Sequence, residues 1–293
     1  MDECRSDSSN YITEIKRMMH GFGDSSQPLT ESATMINDVV QRQIKAFVYE
    51  ASKIADNRQS NTVEDEDFLF LLRRDKIKLQ RLLKYLQLKE FKSTMNKVLD
   101  SDSLGVIGEE TQEEKIEKRY KKLFNNLVSI DDSTTIDDIK YNRDLRAEML
   151  SRTLNTSHYI EYAKARSASF ANKYNIKFAN WINPDGDMKI SKQSYTILNY
   201  LCYETVAQIM DLAFLVRQDQ SKIYGDALDT VRLGYCNPST YKPYQHGKNP
   251  VFKPITPSEI SEAIRRYWSP QLNYTGPFHR WSLNRQHPKF LVI

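Results

Sequence analysis

From Thr30 onward the chain places apolar residues at steps of three and four: Met35, Ile36, Val39, Val40, Ile44, Phe47, Val48, Ala51, Ile54 and Ala55. That spacing sits on one face only in a helix, here one of about seven turns with a wide apolar stripe. Thr30 is placed to cap it, with Glu31 favoured in the first turn by the helix dipole. Asn57 to Asn61 carry no apolar residue and end it. Thr62 can cap a second, short helix, with Asp65 three positions on, and Phe68, Leu69, Leu71 and Leu72 supply its buried side. A very long amphipathic helix followed by one short helix has too little surface of its own to cover that stripe. The segment therefore needs further helices against it.

The same plan returns later in the chain. Tyr11 to His20 forms a short helix, and Gly21 to Pro28 are turn residues that break it before the long one. Asp75 to Met95 continues beyond the short helix as another amphipathic helix. From Tyr159 to Ile182 one helix is expected, containing Phe170, Phe178 and Trp181. Ile190 to Asp219 reads as a second very long helix, apolar on two adjacent faces. Thr256-Pro257-Ser258-Glu259 then opens a short one with an N-cap, a first-turn proline and an acid at the third position. No strand pattern competes, so the expected class is all-α. The expected organisation is a disordered start (1–10), a first helical half with an extra helix (11–95), a charged and partly helical linker with solvent-exposed helices (96–158), a second half with a long loop at 223–255 (159–268), and a basic aromatic tail (269–293).

Composition narrows the function. No apolar run approaches the ~20 residues that span a bilayer, and the first ten residues lack the apolar core of a secretory signal. Cys4, Cys202 and Cys236 are far apart, which argues against a zinc site and a disulfide framework; Cys202 reads as a small core residue. No phosphate loop, nucleophile elbow or zinc-binding helix motif appears and the five histidines are scattered, so no enzyme and no cofactor are expected. The loops Gly21–Leu29 and Arg58–Glu66 are neutral to acidic, which argues against direct DNA binding through them. The last quarter, 223–293, holds nine Lys and Arg against four Asp and Glu, so its tail could contact nucleic acid or dock on a neighbouring subunit, the reading favoured here.

Residue identities add a resemblance. Thr30-Glu31-Ser32 and the run Asp67-Phe68-Leu69-Phe70-Leu71-Leu72-Arg73-Arg74-Asp75-Lys76 resemble the smaller histone-fold subunit of transcription factor TFIID. Leu201 to Asp219 is similar to the C-terminal long helix of the SAGA coactivator subunit that fuses both members of that histone-fold pair. Ile255 to Arg266 resembles the last helix of the larger TFIID member. In order and in one chain, these blocks identify the chain as resembling the double-histone-fold SAGA subunits of the suppressor-of-Ty family. The loop at 223–255 is longer than a histone fold needs and departs from the pattern.

The resemblance implies two histone folds in one chain, forming an intramolecular pair. Its core is expected at Val40, Ile44, Phe47, Ala51, Phe68 and Leu71 in the first half, and at Leu201, Thr205, Ile209 and Leu212 in the second. It also implies a nuclear, non-catalytic role, with TATA-binding protein and other histone-fold and core subunits of SAGA as partners. Arg58 and Asp67 are candidates for a local structural pair. Glu204 is anomalous in its apolar helix: it either finds an internal cation or offers its charge to another protein. Arg217, Tyr274 and Trp281 are the other candidate partner contacts.

Overall fold

The structure, a computed structural model, describes residues 10–100, 137–171, 175–184, 186–221, 253–268 and 290–291. The expected disordered start, most of the linker and of the 223–255 loop, and Tyr274 and Trp281 in the tail lie outside these residues. Among the described residues every regular element is a helix: α1 (Ile12–Phe22), α2 (Thr30–Asn57), α3 (Asp65–Leu72), α4 (Lys76–Asp100), α5 (Asp138–Thr153), α6 (Thr156–Arg166), α7 (Ile176–Ile182), α8 (Ser194–Ser221) and α9 (Pro257–Trp268).

The two long helices, α2 and α8, have 28 residues each, about 42 Å of rod. They contact one another, and each carries a short helix beyond its C-terminus, α3 after α2 and α9 after α8. The packing is reciprocal: α3 touches α8, and α9 touches α2. Hydrogen bonds fasten both crossings. Ser32 in α2 donates from Oγ to the Ile255 carbonyl ahead of α9 at 2.7 Å, and Ser194 at the start of α8 donates to Asp65 Oδ1 in α3 at 2.5 Å. The loops before α3 and α8 meet in one parallel β-bridge, with Val63 N–H donating to Lys189 O at 2.8 Å and Ser191 N–H to Val63 O at 3.0 Å.

One continuous core runs through both halves. Tyr11 and Phe170 form an aromatic cluster with Phe178 and Trp181 of α7. Phe47 stacks on Phe68 with ring centroids 5.7 Å apart, and Phe290 meets Phe47 edge-on at 5.8 Å. Phe290 and Leu291, expected in an extended tail, are buried in this core, because an apolar pair has more to gain there than in water. Burial of side chains this size contributes about 1.5–3 kcal/mol each.

Two glycines set the first turn. Gly23 closes α1 in the left-handed region (φ 111°), its N–H donating to His20 O while Asp24 N–H donates to Met19 O. A Cβ on Gly21 would lie 2.9 Å from the Ala165 carbonyl oxygen, so glycine lets α1 approach the backbone of α6.

Several local expectations shift. Tyr159 to Ile182 is two helices, not one: α6 stops at Arg166, Phe170 turns into the core, and the Asn175 side chain accepts from Lys177 N–H at 2.8 Å to start α7. α8 begins at Ser194 and not at Ile190, since Ile190 is committed to the bridge. Glu64, not Thr62, caps α3; Asp67 Oδ2 accepts from Glu64 N–H at 2.9 Å. Leu29 occupies the cap position of α2 and Thr30 is already helical, its Oγ1 accepting from Lys16 Nζ at 2.8 Å. Thr256 and Glu259 do cap α9 reciprocally, Thr256 N–H donating to Glu259 Oε2 at 2.8 Å and Glu259 N–H to Thr256 Oγ1 at 3.4 Å.

The largest difference is α5. It falls where a solvent-exposed linker helix was expected, yet it buries Arg146 and Leu150 against the molecule. Its sequence has few apolar residues, so periodicity could not reveal that inner face, which is built from arginines.

Candidate interaction site

Glu204 and Asp211 are seven residues apart on α8, two turns along one face. Both are buried in a helix that is otherwise almost wholly apolar at these turns. Arg143 and Arg146, three apart on α5, face them, and Arg81 reaches in from α4. Arg81 Nη1 donates to Glu204 Oε1 at 2.5 Å, and Arg143 Nη1 donates to the same oxygen at 2.8 Å. Arg143 Nε also donates to Asp211 Oδ2 at 2.6 Å, and Arg146 Nη2 to Asp211 Oδ1 at 2.7 Å. Asp137, at the N-cap of α5, accepts from Arg81 Nη2 at 2.9 Å and from Arg81 Nε. The result is an alternating chain, Asp137, Arg81, Glu204, Arg143, Asp211, Arg146, with equal numbers of cations and anions.

The alternation answers the cost of burial. An isolated buried charge is severely penalised, whereas a charge held between two of opposite sign recovers much of its lost hydration. Burial alone would lower the Arg143 pKa, but Asp211 and Glu204 outweigh it and raise it, so the guanidinium stays charged. Nearby, Lys78 donates to the Leu291 carbonyl at 3.2 Å and to Gln208 Oε1 at 3.4 Å, and burial lowers its pKa. Tyr200 packs on Tyr85 at 4.8 Å between centroids, with its hydroxyl pKa raised by burial and then by Glu204. Beside the cluster a cleft of about 570 Å³ opens between α4, α5 and α8. Each of these carboxylates is taken up by arginine. The cluster is chemically a fastener joining α4, α5 and α8.

For Glu204, the internal cation is the outcome and the outward contact is corrected: its side chain is 6% exposed and engages Arg81 and Arg143. Arg217 grips Glu259 with two bonds, Nε to Oε1 at 2.7 Å and Nη2 to Oε2 at 2.8 Å, and also donates to the Lys253 and Pro254 carbonyls. It thereby holds the start of α9. Arg58 donates to Asp67 Oδ2 at 3.0 Å and Glu64 Oε2 at 2.9 Å; the Asp67 bond is the main reason its pKa is raised. Val40, Ile44, Phe47, Ala51, Phe68, Leu201, Thr205, Ile209 and Leu212 are all buried. Leu71 is only half-buried: the inner face of α3 is taken by Phe68 and Leu72, one turn apart, together with Leu69. Cys202 is buried in the core, which pushes its thiol pKa well up.

Sequence reasoning missed Arg81, Arg143, Arg146, Asp137 and Asp211. A signal was present in the two carboxylates seven apart in an apolar helix, which demand cations from elsewhere. Among the described residues no group of three or more His, Cys, Asp or Glu could hold a metal ion, and no helix is long and apolar enough to cross a membrane.

A long helix with a short one after it, set against a second long-and-short set in the same all-α chain, defines a histone-fold protein. The comparisons with known proteins make this specific. Residues 9–101 match the family model described as Transcription initiation factor IID, 18kD subunit. Over 269 residues the chain is 29% identical to the SAGA complex subunit Spt3 of Drosophila melanogaster, covering 87% of this chain and 67% of that protein. It is 25% identical over 311 residues to the SAGA complex subunit SPT3 of Saccharomyces cerevisiae, covering 88% and 91%. A TFIID subunit 13 of Arabidopsis thaliana is 35% identical over 89 residues, 30% of this chain and 69% of that protein. Over residues 9–101 the chain belongs to the histone-fold family of the small TFIID subunit, and along most of its length it is similar to the SAGA subunits named Spt3.

Proposed function

We propose that this protein is a non-catalytic, nuclear subunit of a SAGA coactivator complex. In this reading, residues 11–95 and 159–268 pair within the chain as one histone-fold pair, and the paired body engages TATA-binding protein and helps bring it to RNA polymerase II promoters. The observation that carries the assembly is the coverage of the comparison: the relatives named as SAGA subunits match 87% and 88% of this chain, while the Arabidopsis TFIID relative matches 30% of it. The reciprocal contacts of α3 with α8 and α9 with α2 support pairing within the chain. Fusion would keep the second half at high effective concentration beside the first.

A pull-down with the purified chain tests the finer claim. TATA-binding protein should be retained and a free DNA duplex should not. Retention of DNA without TATA-binding protein would overturn this reading in favour of a DNA-binding histone-fold factor, whose affinity would fall steeply with salt. Among SAGA components, the protein should co-purify with the assembled complex from nuclear extract.

A further inference from the structure

α4 has an unusual outer face. The helix as a whole carries seven Lys and Arg against two acidic residues; Arg81 and Lys78 turn inward, while Lys76, Lys84 and Lys92 are exposed. Leu79, Leu82, Leu83 and Leu86 bury its inner side. Beyond them Leu88, Phe91 and Met95 are 61%, 63% and 47% exposed. Their spacing of three and then four places them in one stripe along the helix. Exposed Lys84 heads that stripe and exposed Lys92 flanks it. Leu88 also lines the cleft beside the acid–arginine cluster, with Tyr141, Lys140 and Arg166 on the opposing walls. Tyr141 is itself 64% exposed. The stripe therefore runs on into a concave, aromatic and basic surface.

Contiguous large apolar side chains left in water mark an interaction surface. Spacing and charge together decide what fits it. A second copy of α4 would set one basic helix against another, and like charges in contact oppose that pairing. A nucleic-acid backbone would use the lysines but gains little from three bulky apolar side chains between them. An acidic amphipathic helix uses both.

We infer that this face docks an acidic amphipathic helix of a partner protein. Its apolar residues at i, i+3 or i+4, and i+7 would cover Leu88, Phe91 and Met95, and its carboxylates would meet Lys84, Lys92 and Arg166. The inference does not depend on the reading of TATA-binding protein as a partner.

The test is fluorescence anisotropy with the full chain and a labelled acidic peptide of about 20 residues, long enough to form a helix on binding. A peptide of the same composition with its apolar periodicity scrambled, and a DNA duplex, serve as competitors. The periodic peptide should bind. Scrambling it, or substituting Phe91→Asp, should weaken binding about tenfold or more, as loss of a central aromatic contact does. K84E/K92E should weaken it and flatten its salt dependence. Phe91 and both lysines are exposed, so an unchanged thermal melt by circular dichroism accompanies each variant; if F91D does not fold, K84E/K92E and the scrambled peptide carry the test. Equal binding of the scrambled peptide, no binding by the wild-type chain, or binding untouched by F91D overturns the inference. So does DNA displacing the peptide as the tighter ligand, or self-association of the chain that F91D abolishes.

Discussion

Substituting Glu204→Gln isolates the charge at the centre of the cluster. The two side chains are nearly isosteric, and the glutamine carbonyl can still accept from Arg81 and Arg143, which lie 2.5 and 2.8 Å from Oε1. What is lost is the negative charge between two buried guanidinium groups. Orphaning a buried cation costs about 3–5 kcal/mol. Here neither is fully orphaned, because Arg81 keeps Asp137 and Arg143 keeps Asp211. The expected loss is therefore about 2–3 kcal/mol, and Glu204→Ala, which removes the acceptor as well, should lose about 3–5 kcal/mol. Either is a large part of a typical total stability of about 5–15 kcal/mol. Urea unfolding of the full chain, followed by circular dichroism, measures both. A double-mutant cycle with Arg143→Met should give a coupling of about 1 kcal/mol or more, since the two residues share a bond. E204Q within about 0.5 kcal/mol of the parent chain, the range of ordinary surface substitutions, would refute the account of the cluster as a fastener.

Gly21→Ala should destabilise by about 1–3 kcal/mol, because its Cβ would meet backbone atoms of Ala165 and Arg166 at 2.9 to 3.1 Å; an unchanged urea midpoint would mean that α1 and α6 separate freely. Acid should weaken the α9 region: Arg265, then Arg266, hold Glu262 down to about 2, while at Glu259 burial raises the pKa but bonds from Arg217 and Thr256 outweigh it and lower it. Both folded values lie below the ordinary 4.5, so the stability they contribute is present above that pH and lost as pH falls toward about 2; E259Q/E262Q should flatten the urea midpoint over that window, and an unaltered slope would contradict the assignment. Residues 1–100 and 137–293 expressed separately should be insoluble or unfolded and should form a soluble complex when co-expressed, read by size-exclusion chromatography; two stable, monomeric halves would sink the intramolecular pair.

Legibility in the sequence followed the kind of force involved. Apolar periodicity marks α2 and α8 because their stripes are long and the helix period is regular, and a residue such as Ile44 or Ile209 has nowhere else to go. The Thr256–Glu259 cap was readable because its chemistry is local. α5 was not. Its inner face consists of Arg143, Arg146 and Leu150, and arginine on a helix looks the same in sequence whether it points at water or at a buried carboxylate. The break between α6 and α7 was hidden as well, since Phe170 continues the apolar pattern while the backbone turns. Glu204 advertised a missing partner, but the partners lie 123 and 61 residues away, and only the fold brings them together.

The cluster also does something that the apolar crossing of α2 and α8 cannot do alone. A stripe of Val, Leu and Ile can slide by a turn, about 5.4 Å, and still find apolar neighbours. A slide of that size would carry Glu204 and Asp211 away from guanidinium groups now within 3 Å. Each misplaced register would strand buried charges of both signs, at a cost far above that of a mismatched methyl group. Because Arg143 and Arg146 belong to the segment between the two halves, that segment contributes to choosing the register as well as tethering the chain. A connecting segment that supplies Arg143 and Arg146 to carboxylates on α8 can thus act as part of the code that sets how the long helices pack.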